Sequence, residues 1–184
     1  MWRAGWECSP VPRANRLLGL PAARRLLLWS GLGAGALALS ALATFARGHA
    51  LMINVSPSLP YWALWLERGR VPERGDIVLF DPPISPLVVR HFGARPKPFG
   101  KRVLGVPGDV VTEENRVFAI NGTPVATAKR VSRLGEPLAL GPTGRLPAGC
   151  YFVAGEHPDS FDSRYAAIGW ICRPRVLGSG RPVL

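Results

Sequence analysis

The sequence predicts a mainly β domain preceded by one N-terminal transmembrane helix. Three observations carry that expectation: an uncharged apolar run at 26–46, no helical periodicity sustained over three turns after it, and a succession of short apolar runs punctuated by Gly, Pro and Asp. Length sets the outer bound. A chain of 184 residues with 47% hydrophobic content holds a membrane span and one smaller domain, not two large ones.

The run "LLLWSGLGAGALALSALATFA" at 26–46 holds no charge. At about 1.5 Å per residue it covers roughly 31 Å, close to the bilayer's hydrocarbon thickness of about 30 Å. Five arginines (Arg3, Arg13, Arg16, Arg24 and Arg25) precede it against one acid, Glu7, and Arg47 stands alone just after it. The positive-inside rule leaves 1–25 as a basic cytoplasmic segment and 47–184 as an exported domain. That domain carries 18 basic and 11 acidic residues, a balance of +7. The competing reading is the apolar region of a cleaved signal peptide, with Ala41-Leu42-Ala43 as the small-residue exit; a basic region of 25 residues is long for one. Gly31 and Gly35 match a helix-dimerisation spacing, which carries little weight in a helix so rich in Ala and Gly.

The strands follow in order. "GDIVLF" (75–80), "KRVLGV" (101–106) and "RVFAINGTPVA" (116–126) are the clearest, and Asn121-Gly122 inside the last is a two-residue hairpin signal. The proline-rich 80–100 stretch between the first two reads as a long surface loop. "GCYFVAG" (149–155) and "GWICRPR" (169–175) complete the set, and each carries a cysteine. Cys8 lies on the reducing side of the proposed topology, whereas Cys150 and Cys172 belong to the exported side, where disulfides persist. A bond between them closes a loop worth roughly 3 kcal/mol; the alternative is two buried free thiols.

The formal charge of +11 comes from arginine, since only Lys97, Lys101 and Lys129 are lysines. Such a balance suits nucleic acid, an anionic membrane surface, or simple arginine enrichment. No phosphate-cradling glycine loop or aromatic-interleaved basic stretch is present, so no nucleic-acid partner is expected. Arg74-Gly75-Asp76 is ordinary turn-to-strand chemistry. His49, His91 and His157 share no metal-ligand spacing, and no metal or cofactor is expected.

What remains is "SPSLP" (56–60), two serines with no histidine nearby. A serine hydroxyl needs a base, and besides histidine a neutral lysine serves. Burial in apolar surroundings lowers a lysine pKa, while guanidinium stays charged. Moving it from about 10.4 to about 8 costs roughly 3 kcal/mol, which a packed strand can supply. Lys101, opening an apolar strand, is the candidate; its bland alternative is a strand-edge lysine facing solvent.

"SPSLP" (56–60), "KRVLGVPGD" (101–109) and "GEHPDSFDSRY" (155–165), in that order after one span, resemble the type I signal peptidase family of Ser-Lys proteases. The likeness covers 47–184 almost end to end and is nearest to the family's conjugative-transfer branch, given "SFDSRY" and the short chain between Lys101 and Ser160. It implies a signal-peptidase-like Ser-Lys core, with Ser58 as nucleophile and Lys101 as general base. By the same resemblance Ser56 helps an oxyanion hole, Ser160 hydrogen-bonds the lysine, and Asp162 with Arg164 forms a supporting ion pair. It implies a single-pass protein of the bacterial inner membrane with a periplasmic catalytic domain. The implied partners are precursor proteins with signal peptides, a pilin precursor in the conjugative branch, and the membrane itself. In that branch the acyl-enzyme passes to water, or to an amine in a cyclisation.

Elementary chemistry agrees at several points. Pro57 has no N–H, which leaves the Ser58 N–H and the Ser56 hydroxyl as the available oxyanion donors. Pro60 holds Leu59 extended, and with Pro57 stiffens the segment. Twelve residues separate Ala46 from Ser58 and reach at most about 40 Å, so the site works near the membrane surface. Tyr61, Trp62 and Trp65 suit a headgroup interface or core packing. The chain departs from the general pattern at Gly155-Glu156-His157, where that family reads Gly-Asp-Asn, and at Ala166-Ala167, where a glycine is usual. These departures loosen the match around Ser160 and leave a Ser-His mechanism through His157 as a minor alternative. The rivals are a general housekeeping signal peptidase, a self-cleaving repressor and a non-catalytic basic adaptor of a transfer channel.

Overall fold

The computed structural model describes residues 21–53 and 61–183. Two compact units divide the chain at Thr44 and Phe45. Most of helix α1 (Ala22–Gly48) lies in the first. Leucine and alanine dominate its sequence, none of its residues is buried within the protein, and its mean hydropathy reaches 1.8. Two of its hydroxyls are satisfied internally: Ser30 donates to the Leu27 carbonyl at 3.0 Å and Thr44 to that of Ser40 at 2.9 Å. A helix bound for lipid needs that internal satisfaction. The helix begins four residues before the uncharged run and takes in Arg24 and Arg25.

Among the described residues, the second unit holds eleven strands. They are β1 (His49–Ile53), β2 (Ala63–Glu67), β3 (Ile77–Phe80), β4 (Phe99–Gly105), β5 (Val110–Glu114), β6 (Val117–Ile120), β7 (Thr123–Thr127), β8 (Gly144–Arg145), β9 (Cys150–Ala154), β10 (Ile171–Cys172) and β11 (Val176–Pro182). Seven form one antiparallel sheet in the order β1-β2-β11-β3-β4-β9-β10, and four form another in the order β7-β6-β5-β8. Both sheets contribute to one core, in which Phe118 of β6 and Phe152 of β9 meet at 5.5 Å between ring centroids, with Val103, Val111 and Ile120 buried around them. The hairpin between β6 and β7 turns at Asn121-Gly122, both with positive φ (50° and 82°), as a type I′ turn requires.

One expectation is corrected. The 80–100 stretch is not a plain loop, because α2 (Pro86–Phe92) forms within it. Ser85 caps it by accepting from the Val88 N–H at 3.2 Å, Pro86 occupies a first-turn position where its missing N–H costs nothing, and Val88 is fully buried. Leu87, Val88 and Val89 are too few to show a helical period, so the Ser-Pro start was the readable signal. Cys150 and Cys172 are bonded, and as directly paired residues of β9 and β10 they close the edge of the larger sheet.

Candidate active site

Strand β4 lies between β3 and β9, so its inward positions have cover on both sides. Along it Lys101, Val103 and Gly105 are buried while Arg102 and Leu104 are half-buried. Period-two alternation explains how a cation comes to be inside: the register that buries Val103 buries Lys101 as well. Lys101 pairs with Val78 of β3 and retains only 5% of its exposure. Its Nζ stands 5.7 Å from the centroid of the Phe99 ring. Burial lowers its pKa from 10.5 to about 8, Asp162 opposes that shift and Arg164 adds to it. A lysine of this kind is neutral in a useful fraction of molecules at mildly alkaline pH.

The two charges that act on Lys101 neutralise each other. Arg164 donates from Nε to Asp162 Oδ1 at 2.8 Å and from Nη2 to Oδ2 at 2.7 Å, a bidentate pair with both residues buried. The remaining groups are satisfied by backbone: Gly155 N–H donates to Asp162 Oδ2 at 2.9 Å, and Arg164 Nη1 donates to the Thr127 carbonyl at 2.9 Å. Arg164 Nη2 also reaches the Ser160 carbonyl at 3.3 Å. This ion pair closes the 155–164 loop on itself and ties it to β7 of the smaller sheet.

Ser160 is buried, and its Oγ has no hydrogen-bond partner among the described residues. No bond joins it to Lys101 here. A buried hydroxyl without a partner costs about 1–3 kcal/mol, so its position calls for an explanation. Ser56 and Ser58 lie outside the described residues. Lys101, Asp162 and Arg164 are thus brought together, with Ser160 beside the ion pair.

His157 Nδ1 accepts from the Asp159 N–H at 3.1 Å, which commits that ring to its own turn. His91 pairs with Glu136 at 3.1 Å and packs on Phe161, and His49 stacks on Phe45. The aromatic trio divides: Trp62 is exposed, Trp65 packs on Phe45 and His49, and Tyr61 joins a small cluster with Leu64 and Ile77. Sequence reasoning missed what Tyr61 does with its hydroxyl, which accepts from Arg102 at 3.0 Å. Arg102 follows Lys101 on a strand and therefore faces the other way; that alternation was the available signal.

The family model for signal peptidase, peptidase S26, matches residues 24–184. The conjugal transfer protein TraF of Agrobacterium fabrum is 31% identical over 165 residues, covering 83% of this chain and 92% of that protein. Signal peptidase I of Bacillus amyloliquefaciens is 33% identical over 118 residues, covering 59% of this chain and 55% of that protein. Among solved structures, a signal peptidase I from Enterococcus faecalis V583 is 28% identical, covering 59% of this chain and 96% of that one, with a TM-score of 0.38. The buried lysine of β4 and the matched length of chain agree: this protein belongs to the peptidase S26 signal peptidase family of serine-type peptidases, and it carries one N-terminal apolar helix of membrane-anchor length.

Proposed function

We propose that the chain is a membrane-anchored endopeptidase in which Ser58 is the nucleophile and Lys101 the general base. The observation that carries this reading is the burial of Lys101 in an apolar strand beside a self-neutralised ion pair, which makes the amine a base near pH 8. Neutral Lys101 takes the proton of the Ser58 hydroxyl as that oxygen attacks the scissile carbonyl. The Ser56 hydroxyl and the Ser58 N–H stabilise the oxyanion. The lysine then returns the proton to the leaving amine, and an acyl-enzyme ester remains on Ser58. Water, deprotonated in turn by Lys101, hydrolyses the ester and releases the fragment on the carbonyl side of the cut, which is the signal peptide where the cut follows one. An amine in its place, such as the substrate's own N-terminus, gives a new peptide bond and a cyclic product. Ser160 supplies a hydroxyl to orient the lysine amine, and the Asp162–Arg164 pair fixes the loop that carries it.

The substrate class is an exported precursor with small residues before the cut. The likeness to a conjugal transfer protein over most of both chains favours a pilin precursor of a transfer system. The Bacillus relatives favour the general processing of secreted precursors as the second reading. The excess of arginine before the uncharged run supports an N-terminus in the cytoplasm and 47–184 in the periplasm.

Mass and N-terminal sequence of exported proteins from cells carrying Ser58→Ala or Lys101→Ala test the reading. Both substitutions abolish processing of the precursor, whereas Ser56→Ala slows it by up to about several hundredfold. Activity rises with pH as Lys101 loses its proton; full activity of Lys101→Ala, or an optimum near pH 5, rules the mechanism out. A mature product lacking a free N-terminus identifies the cyclising outcome.

A further inference from the structure

We infer that Phe92, the last residue of α2, is a specificity residue of the proposed peptidase, whose open ring receives a large apolar side chain of the precursor a few residues from the cut. The inference rests on the assignment of Lys101 as the base, given above. Burial singles this ring out. Phe92 packs edge-on against Phe99 of β4, with ring centroids 4.7 Å apart, and against Phe161 of the 155–164 loop at 5.4 Å. Phe161 is sealed, with 6% of its surface exposed, whereas Phe92 keeps 42%. Two covered rings thus hold a third one open.

The same contacts place it beside the chemistry. Lys101 Nζ stands 5.7 Å from the Phe99 centroid, so the Phe92 ring lies no more than about 10 Å from the base. A general base works within hydrogen-bond reach of the attacking oxygen, which puts the reacting carbonyl within about 7 Å of the same amine. Ring and carbonyl are then at most about 17 Å apart, a span that extended peptide covers in about five residues. A side chain of a bound precursor can therefore lie on the ring.

The helix fixes the ring and leaves it apolar. Val88 anchors α2 in the core, and Gly93, at φ 83°, ends it by donating its N–H to the Val89 carbonyl at 2.8 Å. Glu136 accepts from Arg90 at 3.3 Å and pairs with His91 at 3.1 Å, which fastens the two residues before Phe92 to the turn between Val131 and Pro137. With those two side chains committed to Glu136, what α2 offers a substrate is the ring. An alkyl or aromatic side chain gains by the area it covers there, whereas a polar one loses water without a partner. The small residues expected beside the cut cover too little of a phenyl ring, so the preference falls on another position.

The test uses the full-length chain in detergent micelles and a library of precursor peptides, each an apolar segment followed by randomised residues, with the products sequenced. The wild type enriches Leu, Ile, Met and Phe over Ser and Asn about tenfold or more at one position within about five of the cut, and Phe92→Ala lowers that enrichment to about twofold or less. A merely structural lesion slows all peptides alike and leaves the ratio in place, which overturns the inference. If Phe92→Ala fails to fold, Phe92→Gln decides, because its methylenes still cover Phe99 and Phe161 while its amide faces the substrate. Lys101→Ala runs beside them: cleavage by that variant, or none by the wild type, removes the underlying assignment and this inference with it. If Lys101→Ala is inactive while the wild type shows no such apolar position, only the role of Phe92 fails.

Discussion

Replacing Lys101 with methionine should stabilise the protein as it destroys the activity. The ammonium of an exposed lysine titrates at 10.5, and burial in β4 lowers that to about 8. The difference corresponds to about 3 kcal/mol by which the folded state disfavours the charged form. A depressed lysine pKa means that the unfolded chain binds the proton more tightly. The penalty is therefore fully present below pH 8, shrinks between pH 8 and 10.5, and is gone above. Methionine keeps the unbranched length without the charge. At pH 7 the variant should resist urea by up to about 3 kcal/mol more than the wild type, or melt about 10 °C higher. Paired denaturation curves at pH 7, 9 and 10.5 should show that advantage closing as pH rises. An advantage that is absent at pH 7, or that persists unchanged at pH 10.5, would refute the claim that the lysine is held against its own desolvation.

Reducing the Cys150–Cys172 bond opens a cross-link between residues 22 apart and should cost about 3 kcal/mol, read as a lower urea midpoint in dithiothreitol. Gly180→Ala should be far harsher than its one methyl suggests. A Cβ there would run into the Trp65 carbonyl oxygen, so β11 cannot stay in register with β2 without moving. Hydrogen exchange of the β2 and β11 amides should rise in that variant while β5 and β6 remain protected.

The general architecture was legible because it rests on local signals. Length and lack of charge marked α1, and Asn121-Gly122 marked a hairpin that the backbone adopts with two positive φ values. Lys101 stood out for a chemical reason, as a lysine opening an apolar strand in a chain whose basic residues are mostly arginine. The strand order was not legible. β11 inserts between β2 and β3 from the far end of the sequence, and no local pattern in "VLGSGRP" names its neighbours. The absent side chains at Gly178 and Gly180 make sense only once the Glu67 and Trp65 carbonyls are seen against them. The Arg102 fork was hidden for the same reason: Tyr61 and Glu156 are 41 and 54 positions away, and only the folded sheet brings them to one guanidinium.

The Asp162–Arg164 pair explains why desolvation decides the state of Lys101. Two opposite charges at 2.7 Å present little net field to the amine, so Asp162 and Arg164 pull its pKa in opposite directions and burial is left as the largest cause. Breaking the pair from either side exposes the other charge. With Asp162→Asn, the remaining guanidinium pushes the lysine pKa further down, and the alkaline limb of activity should move to lower pH. With Arg164→Met, the remaining carboxylate draws the pKa up, and the limb should move to higher pH with less activity at neutrality. Both variants leave an unpaired buried charge and should lose about 3–5 kcal/mol of stability. The pH profile of residual activity is therefore the discriminating measurement, since a purely structural lesion lowers both curves and moves neither. Shifts of opposite sign require the lysine amine to be the group that titrates, and two unshifted limbs would mean that some other group does.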